Sequence, residues 1–361
     1  MKKSVETLVF NIVYSPFCSK MVSLLGIQKL YADQHVRSMK KSFLSNARRE
    51  YANGASLGTY DDYKQALEKH WVSYTEYAHQ YEFYKKTEAE REEYISRLKM
   101  SYFYRRYTPG VAKTVFHNKT RFLKMFNKYV HRQWLYAPES TFEDFVKMVS
   151  TMDCIVKPSD GKLGKGIFKT YKSDDHKDDR KLYEKCVKDR MLVEQCIEAC
   201  DELKAFHPQS LNTIRVVTIS NKEKACVFSG VFRTGVGKSV VDNSHKGGVS
   251  AQINVETGIV ETDGANTHGD RFERHPDSGI SIPGFQIPKW KSIVETCCEA
   301  AKLTENPITG WDVVINNHGE VEFIEGNYGP DMDMMQTRYK TGAKKKIYAL
   351  IKEYCGITLK E

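Results

Sequence analysis

No stretch of the 361-residue sequence stays apolar long enough to cross a bilayer, which argues against a helical membrane protein. Cysteine occurs nine times, an odd number without paired CxxC motifs, and Cys196 and Cys200 have no second pair to complete a zinc site. They read as reduced thiols, which points to the cytoplasm. The amino-terminal MKKSVETLVFNIVYSPF starts basic and has a short apolar stretch. Glu6 and Asn11 interrupt it and no small-residue cleavage site follows, so it does not read as a signal peptide. There is no internal repeat or low-complexity tract. Nor is there a Cys–His or Ser–His arrangement that would argue for a side-chain nucleophile.

What is present is a globular composition, 40% hydrophobic and 28% charged, with length for two or three domains. The net charge of +9 favours anionic partners such as a nucleotide, an acidic sugar, nucleic acid or a membrane surface, and chooses none of them. The runs Arg37-Ser38-Met39-Lys40-Lys41 and Lys344-Lys345-Lys346 are too short for nucleic-acid tails and read as solvated helix faces. Residues 60–107 interleave tyrosines with Lys, Arg and Glu, with no Pro or Gly for almost the whole stretch. Leu67, Trp71, Tyr74, Ala78 and Tyr81 keep helical spacing, which predicts one long helix or two in an accessory helical region over residues 1–110.

The pattern changes after Thr108-Pro109-Gly110. Ser140 and Glu143 suggest a capping box opening a helix through Phe142, Phe145, Val146 and Val149. Strand-like runs follow at 154–158, 167–171, 191–197, 213–219, 225–233 and 249–255. A helix is expected over 290–302, then a hairpin, then a closing helix over 341–355. The fold class expected is α+β, with antiparallel hairpins and flanking helices.

Three stretches carry chemistry. In GWDVVINNHGEVEFIEGN (310–327), a two-residue turn at His318-Gly319 would put Asp312 directly across from Glu325, with Asn327 on the same face. Two facing carboxylates repel, and a hard divalent cation would resolve the conflict. A three-residue turn would instead set Asp312 against Ile324, and an ordinary polar edge hairpin remains the alternative. In VKPSDGKLGKGIFKTY, Gly161, Gly164 and Gly166 supply exposed backbone N–H groups and Lys162 and Lys165 supply charge, as a phosphate-covering hairpin tip needs. Lys157, in an apolar strand, calls for an anionic partner. In MLVEQCIEACDEL, a strand holding Glu194 and running to Ile197, then the acidic Asp201 and Glu202, could meet an adenine edge and ribose hydroxyls.

Taken in order, Lys119 in HNKTRF, Lys157 in VKP, the glycine hairpin, VEQCI with its acidic pair, and Asp312 with Glu325 and Asn327 resemble the ATP-grasp superfamily. SLNTIRVVT, Val241-Asp242-Asn243 followed by KGG, GWDVVI and IEGNYGPD resemble more narrowly its sugar-transfer-associated family, over about residues 110–340. The resemblance implies an ATP-grasp fold, two α+β lobes clasping ATP, over residues 111–361 after the helical region. A glycine-loop lobe would span about 140–197 and a metal-site lobe about 198–340. It implies that Lys119 and Lys157 hold ATP phosphates beneath the 161–166 loop. Glu194 and Ile197 would meet adenine through backbone groups, and Asp201 would bind ribose. Asp312, Glu325 and Asn327 would carry two Mg2+ ions.

Many ligases of the superfamily carry an arginine two positions before the metal aspartate. Here that position is Gly310, which leaves Arg215 or Arg233 to stabilise the transferred acyl group. The activity implied is ATP-dependent joining of a small-molecule or saccharide carboxylate to an amine in surface (capsular) polysaccharide assembly. A kinase or a nucleotide-binding scaffold is the alternative. No nucleic-acid partner is expected, and a peripheral contact with membrane or a glycosyltransferase is left open. His207, His245, His268 and His275 read as solvated loop residues.

Overall fold

A computed structural model of the protein describes residues 26–160, 166–172, 178–239, 247–266, 270–339 and 341–359. Two antiparallel sheets organise it. The smaller, in the order β1-β4-β2-β3, joins β1 (Trp134–Tyr136), β2 (Cys154–Pro158), β3 (Phe168–Thr170) and β4 (Met191–Gln195). Alternation of side chains along these strands divides the sheet into two faces. Cys154, Val156, Met191 and Val193 pack with Phe145, Met148, Val149 and Cys186 of the helices Phe142–Thr151 and Asp179–Lys188. Ile155, Lys157 and Glu194 therefore occupy the face away from those helices. The first of these helices starts one residue later than the sequence suggests: its N-cap is Thr141, in a capping box with Asp144.

The larger sheet runs β11-β10-β5-β6-β7-β8-β9, from β5 (Thr213–Ser220), β6 (Ala225–Thr234), β7 (Val249–Ile253), β8 (Gly264–Ala265), β9 (Arg271–Phe272), β10 (Ile308–Ile315) and β11 (Val321–Asn327). The helix Trp290–Lys302 covers one face, where Ile214, Val216, Phe232, Ala251, Ile293, Trp311 and Phe323 share a core with Phe122 and Phe126. Trp311 is fully buried and its indole N–H donates to Thr218 Oγ1 at 2.9 Å, so its polar atom is satisfied. Part of the opposite face packs Val217, Ile219, Phe228 and Ile308 against Ile347 and Ile351 of the helix Lys344–Cys355.

The helical region is more broken than its composition suggests. The stretch 60–107 forms helices at Tyr60–His70, Glu88–Glu92 and Arg97–Tyr107, with a π turn at Glu76–Gln80 and a 3-10 turn at Phe83–Lys85. Trp71 and Glu82 sit at positive φ, and Thr87 and Ser96 accept hydrogen bonds as N-caps, so local capping overrides helix propensity. The region packs on the chain beyond β11. Gln336, fully buried, accepts from Ile95 N–H (2.9 Å) and Ala343 N–H (3.2 Å) and donates to Ile95 C=O (2.9 Å). Lys344 is buried there too, contrary to the solvated-face reading. No helix among the described residues is long and apolar enough to cross a membrane.

Candidate active site

The β10–β11 hairpin sets Asp312 opposite Glu325, by a route the sequence does not suggest. Next to the turn, Ile315 pairs with Val321, Val314 with Glu322 and Val313 with Phe323, the register of an odd-numbered loop. The turn is held by Asn316, whose side-chain oxygen accepts from the His318 and Glu320 backbone N–H groups at 3.0 Å. A bulge then leaves Ile324 without an opposite partner and shifts the register by one. Asp312 thus faces Glu325, and Gly310 faces Asn327.

The repulsion between the acids is met in part by arginines of neighbouring strands. Arg215, directly across β5 from Asp312, grips it through two donors, Nε to Oδ1 and Nη2 to Oδ2 (2.7 Å for the latter). Arg233 of β6 lies 3.4 Å from Oδ2. Burial pushes the Asp312 carboxyl up, and the charges of Arg215 and Arg233 outweigh it and hold it at about 2. Glu325 is exposed to solvent at its own strand position. Its carboxyl is pushed up, first by loss of surrounding water and then by the charge of Asp312. A metal was expected to settle this conflict alone; the arginines take a share of it.

Lys157 comes from β2 of the smaller sheet and Lys119 from the helix Lys119–Met125 beside it. Asn118 caps the helix Lys119–Met125 and donates to Ser159 Oγ (3.0 Å) and Asp160 Oδ1 (2.8 Å), while Lys119 N–H donates to Ser159 C=O (3.0 Å). These bonds dock the HNKT segment on the exit of β2. Lys119 Nζ then lies 3.2 Å from Pro158 C=O. Its pKa is lowered, first by burial and then by the neighbouring charge of Lys157, with Glu325, Glu194 and Asp160 pulling the other way. Lys157 and Glu325 in turn act on each other. Both lysines and the opposed acids thus share one electrostatic neighbourhood.

Glu194 needs correction. It pairs with Trp134 on one side and Ile155 on the other, so its backbone belongs to the sheet and cannot also present an edge to adenine. Its carboxylate is the anionic partner that Lys157 required, and Arg132 binds it as well, at 2.7 and 3.1 Å. Burial raises the Glu194 carboxyl; Arg132 and Lys157 overcome that and hold it at about 2. Arg132 is a site residue that the sequence does not announce. No motif marks it, because a basic residue in YVHRQW has nothing in its local spacing to announce a buried partner.

The other expected residues are placed as follows. Ile197 lies past the end of β4, half-buried against the main core. Asp201 opens the short helix Asp201–Lys204 and is exposed. The segment between them is tethered to the hairpin turn: Cys200 N–H donates to Ile315 C=O (2.8 Å), Asn317 N–H to Glu198 C=O (2.9 Å), and Ala199 bridges Asn316. At its other end, Cys196 N–H donates to Asp153 C=O (2.8 Å). Gly166 has φ 74 and sits over Pro158. Gly161, Lys162, Gly164 and Lys165 lie outside the described residues, as do Val241-Asp242-Asn243, His245 and His268.

Gly310 has a steric reason: a Cβ there would fall 2.7 Å from Pro330 Cβ and 3.6 Å from Arg215 Cδ. The space that a side chain at 310 would take is filled by Pro330 and the stem of Arg215. His207 and His275 are buried rather than solvated. They bond to Ser210, Gly237, Thr234 and Gly235 around the buried Asn212, a network that fixes the end of β6.

No group of three or more His, Cys, Asp or Glu side chains among the described residues forms a ready metal cage. Two carboxylates and an amide on adjacent strands nevertheless fit magnesium, which takes few protein oxygens and completes its shell with phosphate and water.

Comparison with curated proteins gives no match. Among solved structures, the chain is similar to the ATP-grasp ligase PsnB complexed with minimal precursor, Mg and ADP, at 14% identity and TM-score 0.41, covering 71% of this chain and 68% of that one. It is also similar to the D-alanine–D-alanine ligase of Bacillus anthracis, at 12% identity and TM-score 0.39, covering 68% and 69%. The biotin carboxylase of Campylobacter jejuni gives 12% identity and TM-score 0.44, covering 71% of this chain and about half, 49%, of that one. Likenesses this distant carry no argument about activity. The assignment rests on the sequence: residues 99–352 match the sugar-transfer associated ATP-grasp family, and the chain belongs to that family, with an α+β ATP-grasp fold behind a helical amino-terminal region.

Proposed function

We propose that the protein is an ATP- and Mg2+-dependent carboxylate–amine ligase. The observation that carries the reading is that Lys157 of the smaller sheet and Lys119, on the helix docked at the end of β2, both act on Glu325, which faces Asp312 in the larger sheet. Lysines on one wall and opposed acids on the other suit a nucleotide's phosphates on one side and their metal ions on the other. The lysines would hold ATP phosphates beneath the 161–166 loop, the Ile197 backbone would meet adenine, and Asp201 would meet the ribose.

Asp312, Glu325 and Asn327 would hold magnesium, which neutralises charge on the β- and γ-phosphates when bound. A substrate carboxylate oxygen attacks the γ-phosphorus and ADP leaves. The amine then attacks the acyl carbon of the acyl phosphate, and phosphate leaves with the bonding pair. The chain supplies position and charge, with no side-chain nucleophile. Arg215, fixed on Asp312 beside the reacting phosphate, and Arg233 behind it are placed to steady the acyl phosphate. The family's association with sugar transfer supports a sugar acid as carboxylate donor, an amino acid or other amine as acceptor, and surface polysaccharide assembly as the setting.

The test is ADP release screened against sugar acids and amines in combination, with hydroxylamine as trap. A hydroxamate formed from the acid supports the ligase; a stable phosphorylated product without hydroxamate identifies a kinase instead. Glu325→Gln should keep the fold and lose at least a hundredfold in Mg2+-dependent turnover, and unchanged turnover would remove the hairpin from the chemistry.

A further inference from the structure

Arg132 joins the two sheets, and nothing in the proposed chemistry assigns it a task. Its side chain is almost wholly buried, 3% exposed, in the segment that leads into β1. From the smaller sheet it takes Glu194, whose other oxygen binds Lys157. From the larger it takes Glu322, the Phe323 carbonyl at 2.6 Å and, more weakly, the Ile324 carbonyl at 3.5 Å. Glu322 also accepts from His131 N–H at 2.8 Å, so the acid is held from two sides. Phe323 and Ile324 form the bulge that restores Asp312 to a position opposite Glu325.

A bulge leaves backbone carbonyls without ladder partners, and a buried carbonyl left that way costs free energy. The planar guanidinium, with five donors in a fixed fork, serves two carboxylates and the bulge carbonyls at once. An ammonium group, with three donors about one point, cannot span both sheets.

We infer that Arg132 is a positioning residue that sets the register of Glu325 and couples it, through Glu194, to the phosphate lysine Lys157. The inference rests on the reading of Asp312 and Glu325 as metal ligands. Removal of Arg132 should relax the bulge, let Glu325 slip relative to Asp312, and leave Glu194, still paired with Lys157, without its link to the larger sheet. Metal binding should then suffer more than nucleotide binding, because the misplaced group is a metal ligand; loss of a partner that orients a ligand costs ~10–100-fold in metal affinity.

The experiment measures Mn2+ affinity by electron paramagnetic resonance in the presence of ATP, alongside ATP affinity and thermal unfolding, for the intact protein and for Arg132→Met, Arg132→Lys and Glu322→Gln. Arg132→Met and Glu322→Gln are expected to weaken Mn2+ at least tenfold while ATP affinity without metal changes less than threefold. Free guanidinium should recover part of the loss in Arg132→Met and none in Glu322→Gln. Arg132→Lys, which keeps the charge, is expected to stay folded and still lose at least tenfold. Unchanged Mn2+ affinity in a folded Arg132→Lys protein overturns the inference even if Arg132→Met does not fold. If the unaltered protein binds no Mn2+·ATP, it is the ligase reading that fails.

Discussion

Gly326 stands between Glu325 and Asn327, and its replacement by alanine offers a measurable link between packing and site geometry. A Cβ at this position would lie 2.5 Å from Phe116 Cε1, 2.8 Å from Phe116 Cδ1 and 2.8 Å from Phe122 Cε2. Carbon atoms rest at ~3.5–4.0 Å, so the methyl demands a displacement of about 1 Å. The rings are poorly placed to yield: Phe116 stacks on Phe126 at 6.0 Å and meets Trp311 edge-on at 5.7 Å, while Phe122 meets Phe126 at 4.9 Å. Overpacking of this kind costs about 1–3 kcal/mol, a few degrees in Tm for a chain of this size.

The strand can also yield, and that carries Glu325 and Asn327 with it. A displacement of about 1 Å at a reacting site can cost ~100-fold in rate. Gly326→Ala is therefore expected to lower Tm by only a few degrees while reducing kcat/KM for Mg·ATP by one to two orders of magnitude. The assays are thermal unfolding and ADP release across a Mg2+ titration. Adding Phe116→Leu to the same chain should restore part of both. Wild-type activity in Gly326→Ala, or a double variant no better than the single one, would refute the argument that the ring wall fixes this strand.

Other perturbations have equally definite expectations. Glu194 has a folded-state pKa held at about 2 by Arg132 and Lys157, below its ordinary value, so its contribution to stability is fully present above the ordinary glutamate range and lost as pH falls towards 2. Glu194→Gln should be less stable near neutral pH and lose less on acidification, read from urea midpoints between pH 7 and 3; parallel pH curves would contradict it. Gln336→Leu removes the acceptor of the buried Ile95 and Ala343 N–H groups, at ~1–3 kcal/mol each, and should lower the denaturant midpoint. No loss there would mean that water replaces the amide. Arg215→Lys cannot reproduce the two-donor grip on Asp312 and should reduce kcat ~100-fold with little change in ATP affinity. A wild-type kcat for Arg215→Lys beside an impaired Arg233→Lys would transfer the role to Arg233.

Much of the fold can be read from periodicity. Residues 154–158 and 290–302 form the strand and helix that the apolar spacing indicates, because packing there agrees with local preference. The helical stretch 60–107 misleads because Ala, Glu, Lys and Tyr favour helix while Trp71, Glu82, Thr87 and Ser96 end and restart it. β1, β8 and β9, at two or three residues each, are too short to leave an alternating pattern.

In the site, Asp312 and Glu325 do face each other, but a two-residue turn predicts this for the wrong reason: an odd loop and a bulge offset each other. Bulges depend on tertiary partners such as Arg132 and leave no local mark. The place of Glu194 in its motif points to adenine, and only pairing on both sides shows that its backbone is already taken.

The tether of residues 196–200 has a consequence for motion. This segment is fastened to the large sheet at Ile315 and Asn317 and to the small one at Asp153. Any swing of one sheet against the other must turn about that line or break those bonds, and must also strain the Arg132 bonds that join Glu194 to Phe323. Points close to such a pivot scarcely move, and Lys157, at the far end of β2, is held back as well by Glu194 and Arg132. On the proposed reading, a purine beside Ile197 would therefore lie at the part of the site that moves least.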